Sequence, residues 1–198
     1  MTPAGRPREF EIDDALEAAM NAFWLHGYET TSMADLVEAT GVKKGSLYKA
    51  FGGKHSLFVH SLKRYMDQME AEMRPLLMEA PNATEAVRRW IGLAQCTGTS
   101  DECPRGCMIV NTISELMPHD PVIQGMLQEH IQHFMAMITD LVRRGQASGE
   151  FRTDIDAESL AEFLSTVGAG IVMKSKTSVP AQGSVDLADV VLESLKPR

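Results

Sequence analysis

Cysteine is scarce: three in 198 residues, an odd number at irregular spacing, which excludes a disulfide scaffold and fits reduced thiols. Apolar runs stay well short of the roughly 18 residues needed to cross a bilayer. The opening MTPAGRPREFEIDD has no apolar core of the kind a secretory signal carries. A cytoplasmic protein with no membrane partner is therefore expected. Positive charge is in deficit, with 19 Lys and Arg against 27 Asp and Glu. Alternating apolar and polar residues of strand type are missing as well, which leaves an all-α protein. What remains is an ordinary globular composition, 44% hydrophobic and 23% charged, in a chain long enough for one or two domains with a real core.

The missing positive charge is not missing everywhere. Residues 1–65 carry eight bases and eight acids, so the whole net charge of −8 belongs to residues 66–198. Residues 39–66, ATGVKKGSLYKAFGGKHSLFVHSLKRYM, hold six bases (Lys43, Lys44, Lys49, Lys54, Lys63, Arg64) and no acid. Such segregation is the footprint of a polyanion site on an acidic body, although a solvated basic face would give the same count.

Apolar residues recur at helical spacing almost throughout. Ile12, Leu16, Ala19 and Phe23 form one stripe, ended at His26-Gly27, with Gly27 suited to a left-handed cap. Ser32 and Asp35 have the spacing of a capping box for a short helix that Gly41 stops. Val42–Phe51 predicts a second short helix before Gly52-Gly53. A long helix runs from Lys54 through Leu57, Phe58, Leu62, Tyr65, Met69, Met73 and Leu76 toward Pro81. Asn82 caps the next, through Trp90 toward Cys96. Pro104 suits the first turn of a helix reaching Leu116. Leu127, Ile131, Phe134, Ile138 and Leu141 mark another, ending near Ser148-Gly149. Asp156 caps a helix bearing Leu160, Phe163, Leu164, Val167 and Ile171, and Leu187, Val190, Val191 and Leu195 form the last. About nine helices are expected, with a domain boundary between residues 53 and 54.

Two short helices joined through Gly41, the second rich in bases, make a helix-turn-helix, with Val37 and Leu47 expected between them. The second helix would expose Lys43, Lys44, Gly45, Ser46, Tyr48 and Lys49 to a major groove, its early residues at base edges and its flanks at phosphates. Gly45 permits close approach, while Ser46 and Tyr48 offer hydroxyls. Lys54 opens the next helix, where its ammonium and the free amides face one phosphate together. Arg6 and Arg8 precede the first helix and could enter a minor groove as a basic arm; the alternative is a terminus with incidental arginines.

Over residues 10–58 the chain resembles the N-terminal domain of the tetracycline-repressor (TetR) family. The resemblance runs through Gly27-Tyr28, Thr31-Ser32, Gly41-Val42, Gly45-Ser46-Leu47-Tyr48, Phe51, Lys54 and Leu57-Phe58. It implies a three-helix DNA-binding domain (1–53), a larger helical ligand-binding and dimerisation domain (54–198), and a homodimer on a palindromic double-stranded operator. Thr31, Tyr48 and Lys54 match the family's phosphate-contacting positions. The chain departs at Gly52-Gly53, where the family often has a pair such as Pro-Ser, and at His55, which replaces the usual acid.

Nine of the 13 methionines fall between residues 66 and 137. Methionine adapts to varied apolar ligands, although such a stripe also serves as plain core. Met66, Met69, Met73, Trp90, Cys107, Met108, Asn111, His130 and Phe134 are the expected lining of a low-polarity effector pocket. The segment PRGCMIVNTISEL, residues 104–116, resembles part of one branch of the family's ligand-binding domain. Cys103 and Cys107 would share a face of a continuous helix, with Arg105 between them; this is the basis of the alternative, an electrophile- or redox-sensing repressor. His119, His130 and His133 match no metal-ligand spacing, and Cys107, Asn111 and His130 carry no catalytic signature. No metal, cofactor or enzyme activity is expected. The dimer surface is expected on Leu160, Phe163, Leu164, Val167 and Ile171, with Ala161 and Gly168 allowing close approach, and on Val190 and Val191.

Overall fold

The Ser32 hydroxyl accepts from the amides of Ala34 and Asp35, and the Asp35 carboxylate accepts from the Ser32 amide at 2.7 Å. This reciprocal cap starts α2 (Met33–Thr40), and Gly41 ends it in the left-handed conformation at φ 67°. The computed structural model describes residues 11–96, 105–177 and 186–197, and all of its regular structure is helical. The N-terminal unit, ending at Tyr65, holds α1 (Ile12–His26), α2, α3 (Lys44–Phe51) and the first turns of α4 (Lys54–Met78).

Ala19, Phe23, Leu36, Leu47, Phe51, Leu57, Phe58 and Leu62 are its buried side chains, with Phe23 edge-on to Phe58 at 5.0 Å between centroids. Leu36 rather than Val37 is the residue of α2 that is fully buried. Gly27 has a positive φ, 85°, but a ψ of 168°, so it ends α1 in an extended turn and not in the expected left-handed cap. Gly52 and Gly53 take φ 86° and 150°, a corner closed to proline and strained for any side chain. The geometry therefore demands the glycine pair that sets this chain apart from the family pattern. The two compact units divide between Tyr65 and Met66, inside α4 and not at its start. The reason is packing: Leu57, Phe58, Leu62 and Tyr65 are buried in the N-terminal unit's own core.

The second unit contains the rest of α4, then α5 (Ala83–Cys96), α6 (Met108–Glu115), α7 (Pro121–Ala147), α8 (Ala157–Ser175) and α9 (Leu187–Leu195). α7 packs along α8, and α5 packs against α7, α8 and α9. Val87, Ile91, Ile138, Leu141, Leu164 and Leu192 lie in the core they share. α4 ends at Met78, three residues before Pro81, and runs over Pro75 without interruption into its final turn. Asp120, Asp156 and Asp186 cap α7, α8 and α9 through their carboxylates.

The start of α5 is capped twice. Asn82 accepts from the Glu85 amide at 2.8 Å, as its sequence position predicts. Glu150, distant in sequence, accepts from the Ala83 and Thr84 amides at 3.2 and 2.9 Å and from the Ser148 hydroxyl at 2.7 Å. Burial pushes its pKa up, but the bonds from Thr84, Ser148 and Ala83 outweigh this and bring it to about 2. A carboxyl depressed in the folded state stabilises above its ordinary pKa of 4.5, and the contribution fades as pH falls from there toward 2. Glu150→Gln should therefore cost about 0.5–2 kcal/mol near neutral pH, the range of a lost helix cap. In urea unfolding the gap from wild type should narrow as pH falls from about 4.5 toward 2; a gap independent of pH would remove Glu150 from the cap.

Candidate DNA-reading helix and effector cavity

α3 begins at Lys44, after Lys43 as its N-cap, with no side-chain cap and no acid in its first turn. Two cations at the positive end of a helix dipole oppose its formation by roughly 0.3–1 kcal/mol each. Lys43 and Lys49 are exposed and have no carboxylate partner among the described residues. The Lys44 ammonium lies 6.0 Å from the ring centroid of Tyr48, which is 44% exposed. A Cβ on Gly45 would meet nothing within 4 Å, so the protein's own packing does not require glycine there. Exposed cations and a gap in the side-chain cover leave this helix open to an external polyanion approaching its backbone.

Ser46 is half-buried at the edge of this face. Lys54 sits 4.3 Å above the Tyr28 ring and reaches the Glu29 carbonyl at 3.4 Å, which holds its ammonium in place at the start of α4. Thr31 departs from expectation: it is 1% exposed and donates to the Gly27 carbonyl at 2.6 Å. Its hydroxyl secures the turn between α1 and α2 and is not presented to a phosphate. Arg6, Arg8 and Cys103 lie outside the described residues.

In the second unit, residues of α4, α5, α6, α7 and α8 line a partly open cavity of about 240 Å³. Of the nine residues expected around a pocket, Met69, Met73, Trp90, Cys107, His130 and Phe134 line it. Met66 and Met108 do not; both are buried in packing contacts elsewhere. Asn111 also stays out of the wall, because its amide donates to the Arg105 carbonyl at 3.0 Å and its oxygen accepts from Lys176 at 2.8 Å. The aromatic part of the wall is an edge-on pair, Trp90 and Phe134, with centroids 5.9 Å apart. Burial lowers the pKa of His130, and His133 lowers it further, against the opposing pull of Glu70 and Asp67.

Several lining residues escaped the sequence reading: Glu70, His133, Ile109, Val110, Ser165 and Gly168 among them. Gly168 had a signal, a small residue in an apolar helix, that pointed to the wrong neighbour. A Cβ there would come within 2.7 Å of Trp90, so the glycine makes room for the indole and not for a partner helix. α6 starts at Met108, later than Pro104 predicts, because Gly106 at φ 64° turns the chain before it. Cys107 is thus the N-cap of α6, and the continuous helix that would have aligned it with Cys103 is absent. Among the described residues, no group of three or more His, Cys, Asp or Glu could hold a metal ion, and no helix is long and apolar enough to cross a membrane.

Residues 15–60 match the model of bacterial regulatory proteins of the tetR family, and residues 83–184 match the tetracyclin repressor-like C-terminal domain. The chain belongs to the TetR family. It is 34% identical over 190 residues to the HTH-type transcriptional repressor ComR of Escherichia coli, covering 95% of this chain and 90% of that one. It is 28% identical to the HTH-type transcriptional repressor AcnR of Corynebacterium glutamicum over 93% and 92% of the two chains. A cysteine-substituted form of the TetR-family regulator CifR, solved with a 26-bp double-strand operator, superposes with a TM-score of 0.83. That chain is 35% identical and is covered completely by 96% of this one. The protein is accordingly a TetR-type DNA-binding transcriptional repressor, of a family that acts as dimers with small-molecule effectors and is not one of enzymes.

The TetR dimer surface expected on α8 and α9 separates into two sets. Leu160, Leu164, Ile171 and Val191 are buried in the protomer's own core, and Ala161 is fully enclosed there. Phe163 and Val190 are 41% and 53% exposed, and Val167 is half-buried. The apolar stripe of α8 and α9 thus holds residues that point two ways.

Proposed function

We infer that the protein binds a palindromic operator as a homodimer and is released when a small, largely apolar effector enters the cavity of the second unit. The observation that carries the DNA half is α3, with Lys43, Lys44 and Lys49 exposed, uncapped and lacking described carboxylate partners. In this reading Lys43, Lys44, Gly45, Ser46, Tyr48 and Lys49 face the major groove, Lys54 meets a phosphate, and Arg6 and Arg8 reach the adjacent minor groove. The chain works by binding and not by catalysis, in the cytoplasm beside the chromosome it regulates.

Selecting bound sequences from random DNA at a fixed salt concentration tests the first half. Recovered duplexes should be palindromes occupied by two or more chains; a preference for asymmetric sites bound by one chain would overturn it. The effector half has its own variant. Gly168→Ala places a methyl group against Trp90, which forces the indole toward the cavity at a cost of roughly 1–3 kcal/mol in overpacking. Operator affinity should hold while effector-induced release weakens. The thiol alternative keeps one supporting observation, since Cys107 lines the same cavity. Cys107→Ser separates the two: release by a neutral ligand should survive it, whereas a thiol sensor would fall silent.

A further inference from the structure

The cavity has a charge as well as a shape. Among the described residues that line it none is lysine or arginine, while Glu70 is one of them. The acid on the helix face next to it, Asp67, adds to the same negative field, and both act on His130. His130 does not offset them, because burial disfavours its imidazolium. The neighbouring cations are directed elsewhere: Lys176 donates to Asn111 at 2.8 Å, and Arg105 is not a lining residue. An anionic group brought into this space would lose its hydration and meet the acid Glu70.

The remaining wall suits the other sign. Trp90 and Phe134 present an aromatic corner that can face a ring or an ammonium, and Met69, Met73 and Met137 supply adaptable apolar contacts. The volume, about 240 Å³, exceeds the ~150 Å³ that holds benzene but falls below the roughly 300–1,000 Å³ of sites for drug-sized ligands. One ring with a short polar arm fits those bounds. Resting on the reading of this cavity as the effector site, we propose that it selects compact aromatic or alicyclic amines, whose ammonium pairs with Glu70, and rejects carboxylates of the same skeleton.

Three molecules of matched skeleton test this: phenethylamine, 2-phenylethanol and phenylacetate. Each is titrated into the full-length protein carrying Trp24→Phe, so that Trp90 is the sole tryptophan, and operator release is followed in parallel. Phenethylamine should quench Trp90 and release operator at the lowest concentration, the alcohol at a higher one, and phenylacetate at none. Glu70→Gln should raise the concentration needed for the amine by about tenfold, the scale of one charge-assisted hydrogen bond, and leave the alcohol unchanged. A thermal unfolding midpoint matching the parent establishes that Glu70→Gln folds. Phenylacetate binding as tightly as the amine, or an amine preference that survives Glu70→Gln, overturns the charge selectivity while the cavity keeps its role. If none of the three perturbs Trp90 or releases operator, the effector reading of the cavity falls, and this proposal with it.

Discussion

Replacing Tyr48 and Lys49 together by alanine should reduce operator affinity about a thousandfold and leave the helical content unchanged. Each base or phosphate contact of a reading helix is worth roughly 1–3 kcal/mol, and a dimer loses two such contacts in each of two half-sites. Even the lower figure, about 4 kcal/mol in total, approaches a factor of a thousand. Folding should be spared because Tyr48 is largely exposed and Lys49 has no described ion-pair partner to leave behind. Competition with random DNA distinguishes the role of each cation. Loss of Lys49 should relax sequence preference, whereas Lys54→Ala should weaken all sequences alike and reduce the salt slope by about one per subunit. Lys54 has a second local duty over Tyr28, so its variant also needs a thermal unfolding control. Unchanged operator affinity in the double variant would take the DNA-reading role away from α3.

The next largest effect is expected from the surface of α8 and α9. Phe163→Glu combined with Val190→Glu should give a folded monomer that no longer holds operator at nanomolar concentration. Both side chains are exposed in the protomer and absent from its core, so two charges there cost little within one chain. In an apolar interface between copies they would be buried without partners, at several kcal/mol each. A monomer keeps about half of the binding free energy. A nanomolar site near −12 kcal/mol would then fall to about −6, tens of micromolar. Sedimentation and operator retardation measure the two consequences independently. A variant that stays dimeric would place the interface elsewhere, and a monomer that still binds a palindrome tightly would make the dimer irrelevant to DNA binding. Leu160→Glu is the contrasting variant: its side chain is buried in the protomer, so it should unfold the second unit instead.

Local signals were legible because their physics is local. The capping box at Ser32 and Asp35, the cap at Asn82 and the left-handed Gly41 each involve residues within a few positions of one another, and sequence spacing alone specifies them. The same holds for the core of the basic window, where Lys43 and Lys49 stay exposed, although Arg64 at its far end pairs with Glu17 at 2.7 Å. Misreadings arose where spacing does not say which of several partners a side chain takes. Thr31 has the right spacing for a phosphate contact, yet its hydroxyl is taken by Gly27. Asn111 faces the right way along α6 but is tied to Arg105 and Lys176. Glu150 gives no sign in the sequence of capping a helix that starts at Ala83.

The sequence by itself determined the helical class, the order of the helices, the basic window and the family, because periodicity, caps and charge segregation need no knowledge of tertiary neighbours. Only the tertiary structure decided which apolar residues meet which. Helical spacing says that Leu160, Phe163 and Leu164 are apolar and close on one helix, but not that the first and third enter the core while the second faces outward. It likewise enriches methionine between residues 66 and 137 without telling Met69 and Met73, on the cavity wall, from Met66 and Met108, in solid packing. An apolar side chain gains about the same from burial against any close-packed neighbour, so its identity cannot name the surface it covers.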